Sequence, residues 1–250
     1  MIKVFSTIRR KMLDSGKIRN YLIYALGEIL LIVVGILIAW KINDLNEIRK
    51  NRIVQVKIYE SLYEELHTNL SVLDSAIVRY NNNTLYLQSS LKYVGLPPNK
   101  LTKDAKDLIV QVKFKNSNLR NEALNSINNS NKFQFLENDA LTELIAQYPT
   151  ELNKYKIQET KIGNSIENRL KPIIEKHISL IDLLPEMNKN YNHIRTFGQE
   201  SNYLDLLNSR DYQNSVIDQL LQSQIQLTLG KKLRKKTEIL VIKLKQELKG

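Results

Sequence analysis

The chain has 250 residues, 42% hydrophobic and 25% charged, with a formal net charge of +11. It contains no cysteine, which excludes disulfides, thiol nucleophiles and thiolate metal sites. Eight glycines and five prolines are few for this length, which suits long helices and argues against a many-turned β fold.

The positive charge is unevenly placed. Residues 1–20 carry six basic and one acidic side chain, residues 231–250 carry eight and two, and residues 61–230 carry 18 and 19. A nucleic-acid binder puts a basic stripe on its folded body, so a neutral body argues against nucleic acid as a partner.

Residues 1–20 read as a basic, amphipathic, cytoplasmic tail. Ile2, Phe5, Ile8, Met12 and Leu13 fall on one side at helical spacing, with Lys3, Arg9, Arg10 and Lys11 largely elsewhere. That pattern suits a helix lying on an anionic leaflet, with Arg9, Arg10 and Lys11 toward lipid headgroups. The alternative is a disordered basic tail.

Residues 21–40, YLIYALGEILLIVVGILIAW, form an almost unbroken apolar run. At ~1.5 Å per residue, about 20 residues span the ~30 Å hydrocarbon core of a bilayer as a helix. The run is too long for a signal-peptide core, and a cut after Ala39 would put Leu37 where a small residue is wanted. An uncleaved single-pass anchor is therefore expected. The positive-inside rule distinguishes the ends weakly, with six Lys or Arg before the span and five after it. We expect the N-terminus in the cytoplasm and the helical domain outside.

Glu28 lies inside this run. Glu28, Leu31, Ile32, Gly35 and Ala39 share one helical face by spacing. Gly35 and Ala39 make a small-xxx-small pair, which lets membrane helices approach closely. A helix–helix contact in the membrane is expected there, made with a second copy or a partner subunit. The alternatives are a tolerated acid and a role in ion or proton movement.

After Trp40 the apolar spacing continues through Leu45, Ile48, Val56, Tyr59, Leu62, Leu66, Leu70, Leu73, Ile77 and Tyr80, with no Gly or Pro from Lys41 to Val94. One long helix is predicted, with a weak spot at Asn81-Asn82-Asn83 and a stop at Gly95-Leu96-Pro97-Pro98. Thr102 or Asp104 is expected to cap a short helix ending near Phe114. Further helices are predicted over 118–128 and 138–147, the latter capped by Asn138, with a turn at Asn129-Ser130-Asn131. Pro149 is expected to open a longer helix that Pro172 kinks or breaks. Residues 185–201 read as a loop, and Ser201 or Asn202 as the start of a short helix. Ser209 should cap a last long helix through Ile217, Leu220, Leu221, Ile225, Leu229, Leu233, Leu240, Leu244 and Leu248, with Gly230 as its soft point.

Three stretches of this text resemble a family of uncharacterised single-span membrane proteins of Bacteroidota: YALGEILLIVVGILIAWKINDLNE, ALNSINNSNKFQFLENDALTELIAQYP and LLNSRDYQNSVIDQL. The resemblance covers most of the chain and implies a single span, a helical domain and a bacterial inner membrane. It carries no activity, ligand or catalytic residue. The family pattern implies a Gly before Lys132, where this chain has Asn131; Asn also tolerates a left-handed turn, so the turn is still expected.

Catalytic and metal chemistry is not signalled. His67, His177 and His193 have no partner at ligand spacing, and no phosphate-cradling loop, nucleophile elbow or acid pair stands out. No enzyme activity and no cofactor are expected. The basic run of Lys231, Lys232, Arg234, Lys235 and Lys236 is either a solvated helix end or a contact for lipid or an acidic partner.

The expected fold is all-α: residues 21–40 as a transmembrane helix continuing into a long helix, and residues 41–250 as an elongated antiparallel helical bundle outside the cytoplasm. The expected function is a non-enzymatic scaffold or sensor of the cell envelope working through protein–protein contacts. The tail before the span is too short for a signalling domain, so a sensor would need a partner subunit. Two alternatives are an accessory subunit using Glu28 in ion movement and a tethered scaffold facing the cytoplasm.

Overall fold

The computed structural model describes residues 18–112, 114–184 and 191–249. The tail residues Arg9, Arg10 and Lys11 lie outside them. All regular structure among the described residues is helical. The chain divides into two compact units, Met1–Lys57 and Ile58–Gly250.

The first helix, α1, is assigned from Ile18 to Leu91. In the first unit its side chains are largely exposed, including Leu30, Leu31, Ile36 and Trp40. One stretch of this helix is apolar and long enough to cross a membrane.

Within the second unit, α1 runs through Asn81-Asn82-Asn83 without a break. Thr84 and Leu87 are buried just beyond, so packing overrides the poor helix propensity of asparagine. The helix stops where expected. Gly95 adopts a positive φ of 78° beside Pro97 and Pro98, a conformation glycine takes without steric cost.

Helix α2 (Lys103–Val110) is capped by Thr102, whose hydroxyl accepts from the Ala105 amide. It ends four residues earlier than predicted, at Val110 rather than near Phe114. Residues 111, 112 and 114–121 are non-helical, and α3 covers Glu122–Asn128 rather than beginning at 118. Asn118 sits in the left-handed region at φ 53°. Asn131 begins a 3₁₀ turn, Asn131–Phe135, and is not left-handed, so this connection does not need the conformation that a glycine would favour.

Helix α4 (Asp139–Ser165) is capped by Asn138 and contains Pro149. Pro149 therefore does not open a helix. Ile145, Tyr148 and Leu152 on either side are buried, and their packing offsets the lost backbone hydrogen bond. The chain then widens into a π turn, Ile166–Leu170, before α5 (Lys171–His177). Pro172 stands in the first turn of α5, where its missing N–H and its ring are absorbed by that widening. Residues 192–197 form α6 rather than loop. Asn202 caps α7 (Tyr203–Asn208) and Ser209 caps α8 (Arg210–Glu247), as their positions imply.

Contacts fix the helix directions in this unit. Gly230 of α8 lies beside Ile77 and Tyr155, while Ser223 of α8 bonds Asn83 and Gln222 bonds Gln158. Moving back along α8 thus moves forward along both α1 and α4. Helix α8 is antiparallel to both, and α1 and α4 run parallel to each other. The parallel pair is possible because the connecting segment returns the chain between them.

Gly230 is not a soft point. A Cβ there would stand 3.4 Å from the Tyr155 ring and 3.5 Å from Ile77, so this is where α8 approaches its neighbours closely. Gly230→Ala should therefore leave the melting temperature unchanged or raise it, because Ala gains up to about 1 kcal/mol in helix propensity. Gly230→Leu should lower stability by roughly 1–3 kcal/mol through overpacking. Thermal melts of the two variants check this, and equal losses would refute the close-packing account.

Candidate functional site

A buried polar system holds the segment between α2 and α3. Asn69 on α1 is fully buried, and its amide clamps one residue's backbone: Oδ1 accepts from the Arg120 N–H at 2.9 Å and Nδ2 donates to the Arg120 carbonyl at 2.8 Å. One turn earlier, Glu65 accepts from the Ala123 and Leu124 amides at 2.7 and 3.3 Å. These are the orphan donors of the first turn of α3, and the Asn121 side chain does not cap them. Burial pushes the Glu65 carboxyl above its ordinary value, against the two amides that favour its charged form.

Glu159 on α4 is the third anchor and is 2% exposed. Its Oε1 accepts from the Tyr80 hydroxyl at 3.0 Å, the Ser117 amide at 2.9 Å and the Ser117 hydroxyl at 2.6 Å. Ser117 Oγ also lies 2.8 Å from the Tyr155 hydroxyl. Burial, followed by the Glu159 charge, drives the Tyr80 hydroxyl far above the ordinary tyrosine range, so it stays protonated and donating.

These anchors set one wall of a groove of about 480 Å³ between α1 and the residues Val112, Phe114 and Lys115. Arg79, Tyr80, Asn82 and Tyr86 line it from α1, and Phe114 and Lys115 from the facing segment. The Phe114 ring lies over Gly163 of α4, where a Cβ would come within 2.9 Å of it.

The interior of α8 is more polar than its spacing suggested. Ser215, Gln219, Ser223 and Gln226 are buried, whereas the predicted core residues Ile217, Leu221 and Ile225 are 44%, 53% and 47% exposed. The Gln219 amide and Ser215 Oγ have no hydrogen-bond partner among the described residues. A row of three branched apolar side chains at i, i+4 and i+8 thus faces outward, and a row of hydroxyls and amides faces inward.

The predicted membrane-face residues Glu28, Leu31, Ile32, Gly35 and Ala39 all lie on α1, so the helix does bring them to one side. Leu31, Ile32, Gly35 and Ala39 are exposed and Glu28 is half-buried, with an interaction of its own. A Cβ on Gly35 would meet nothing within 4 Å.

The basic run on α8 is partly engaged inside the fold. Lys232 and Lys236 both pair with Glu151, at 3.1 and 3.3 Å, and Arg234 pairs with Asp74 and Glu238 at 2.8 and 2.7 Å. Lys231 and Lys235 point to solvent. Of the histidines, His67 stacks on Tyr63, and His177 lies 3.7 Å from Asp205. Among the described residues no three His, Asp or Glu side chains are grouped closely enough to hold a metal ion.

The sequence reading missed Glu65, Asn69 and Glu159. A signal was present for two of them. Asn69 stands three residues after Leu66 and four before Leu73, and Glu159 four after Tyr155 and three before Ile162, so each is a polar residue at a core position. No family model, curated protein or solved structure matches this chain.

The Lys232 and Lys236 hydrogen bonds hold the Glu151 carboxyl below its ordinary value. A depressed carboxyl contributes stability above its unfolded value and loses it as pH falls through the folded one. Wild type should therefore lose stability relative to Glu151→Gln on acidification below about pH 4.5, the ordinary value. The lysines reach solvent although the Glu151 side chain is only 12% exposed, so 1 M salt should shrink the difference in part. Denaturant titrations across pH and salt check both.

Proposed function

We propose that the chain is a non-enzymatic, membrane-anchored scaffold or sensor acting through protein–protein contacts. The observation that carries this is the inverted pattern of α8, where Ile217, Leu221 and Ile225 stand exposed over a buried polar row. Apolar rows on a helix surface are stabilised by covering them, and a protein partner is the chemistry that fits.

In this proposal residues 21–40 span the inner membrane once, with the N-terminus inside and the helical unit in the periplasm. The length and apolarity of the span support the anchor, and the resemblance to Bacteroidota membrane proteins supports the compartment. The Glu28, Gly35 and Ala39 face meets a second copy or a partner subunit within the bilayer, and Arg9, Arg10 and Lys11 meet anionic headgroups. Because Lys232, Arg234 and Lys236 already have carboxylate partners, the lipid-facing role is assigned to the tail rather than to the end of α8.

Two experiments test this. Paired reporters fused after Gly250 should show activity from the one that works only outside the cytoplasm; activity from the inside reporter would reverse the orientation. Leu221→Glu should reduce cross-linked oligomers or captured complexes in membranes several-fold while leaving the melting temperature within about 2 °C, since surface substitutions usually cost under 0.5 kcal/mol. Unchanged assembly would remove α8 as the contact face. Gly35→Leu separates the membrane contact from the α8 contact, because it alters only the span.

A further inference from the structure

The groove that α1 forms with Val112, Phe114 and Lys115 has the size and lining of a small-molecule site. Its volume of about 480 Å³ falls within the ~300–1,000 Å³ common for ligand pockets. Two cations from different elements, Arg79 and Lys115, face it together, with aromatic surface from Tyr80, Tyr86 and Phe114 and an amide from Asn82. No carboxylate lines it among the described residues.

The two cations differ from the paired residues of the α8 basic run. Lys232, Arg234 and Lys236 each pair with a carboxylate of the fold. Neither Arg79 nor Lys115 has a carboxylate within ion-pair distance among the described residues, although Arg79 is half-buried. Partial burial of a guanidinium without a counter-ion raises its affinity for an arriving anion. Beneath the groove, Tyr80 also donates to the buried Glu159 carboxylate. Two cations offer an anion a fork and a point charge, and the aromatic surface beside them suits an organic anion better than an inorganic one.

We propose that this groove binds a small organic monocarboxylate with an aromatic or branched apolar body. The carboxylate sits between the Arg79 guanidinium and the Lys115 ammonium, and the apolar body lies against Phe114 and the tyrosine rings. Arg79 supplies the planar fork and Lys115 a mobile point charge. The inference goes beyond the anchored scaffold and holds for either orientation in the membrane.

The full chain in a neutral detergent is titrated with 2-naphthoate, its uncharged analogue 2-naphthamide and inorganic phosphate, each against protein-free micelles. Naphthoate should bind at least ten-fold more tightly than naphthamide, with phosphate weaker than both. Arg79→Gln and Lys115→Gln should each weaken naphthoate by about ten-fold, leave naphthamide unchanged and preserve the melting temperature. Phe114→Leu should weaken both naphthyl compounds and not phosphate. No binding of naphthoate, equal binding of naphthoate and naphthamide, or naphthoate binding that survives both charge substitutions would each overturn the proposal. Phosphate binding more tightly than naphthoate would overturn the monocarboxylate assignment. Arg120→Gln, a basic residue outside the groove, is the control that should change nothing.

Discussion

The helical unit depends on a constraint set by backbone chemistry. Residues 114–121 are not helical, so their amides and carbonyls lack the partners a helix would give them. Neighbouring long helices supply some of those partners from side chains: Asn69 for both backbone groups of Arg120, and Glu159 for the Ser117 amide. Glu65 does the same for the first turn of α3. An orphaned buried donor costs about 1–3 kcal/mol, so these residues hold the segment in one register against α1 and α4. The groove follows, because its second wall is this same segment.

Polar residues in a helical interior usually weaken a bundle, and α8 illustrates the cost. Gln219 is buried with its amide unpaired within the described residues, and Ser215 Oγ shares that condition. Elsewhere the polar row finds partners, as in Asn83 with Ser223, Gln158 with Gln222, and Tyr148 with Thr237. These bonds have fixed partners along three helices, whereas leucine on leucine tolerates sliding. This stretch of α8 thus exchanges some hydrophobic stabilisation for a defined register, and Ile217, Leu221 and Ile225 are left facing outward.

Much of the fold was legible because local rules and tertiary packing agreed. The caps at Thr102, Asn138, Asn202 and Ser209 were readable, since a side-chain oxygen before an apolar-periodic stretch has one good use. The long first helix and its glycine-proline stop were readable for the same reason. Pro149 misled because a proline's local preference lost to the burial of Ile145, Tyr148 and Leu152 around it. On α8 the reading held for Leu233, Leu240 and Leu244, which are buried, and failed for Ile217, Leu221 and Ile225, because hydrophobicity alone selected them where a polar row faces inward. The clamps and the groove were not readable as a site. They join residues tens of positions apart, and single-sequence periodicity carries no information on which helices become neighbours. It could only have marked Asn69 and Glu159 as polar residues standing on apolar stripes.

The Asn69 clamp divides mutational freedom unequally between its two ends. It grips the N–H and C=O of residue 120, which every amino acid except proline possesses, so the Arg120 side chain is incidental to it. Asn69 has no such latitude: Asp lacks the donor, Leu lacks both atoms, and Gln adds a methylene in a space that is already full. A library randomised at both positions would thus return nearly any residue at 120 and almost only asparagine at 69. Two sites in direct contact would show no covariation, and a contact inferred from paired substitutions would pass over the bond that sets the register of the segment.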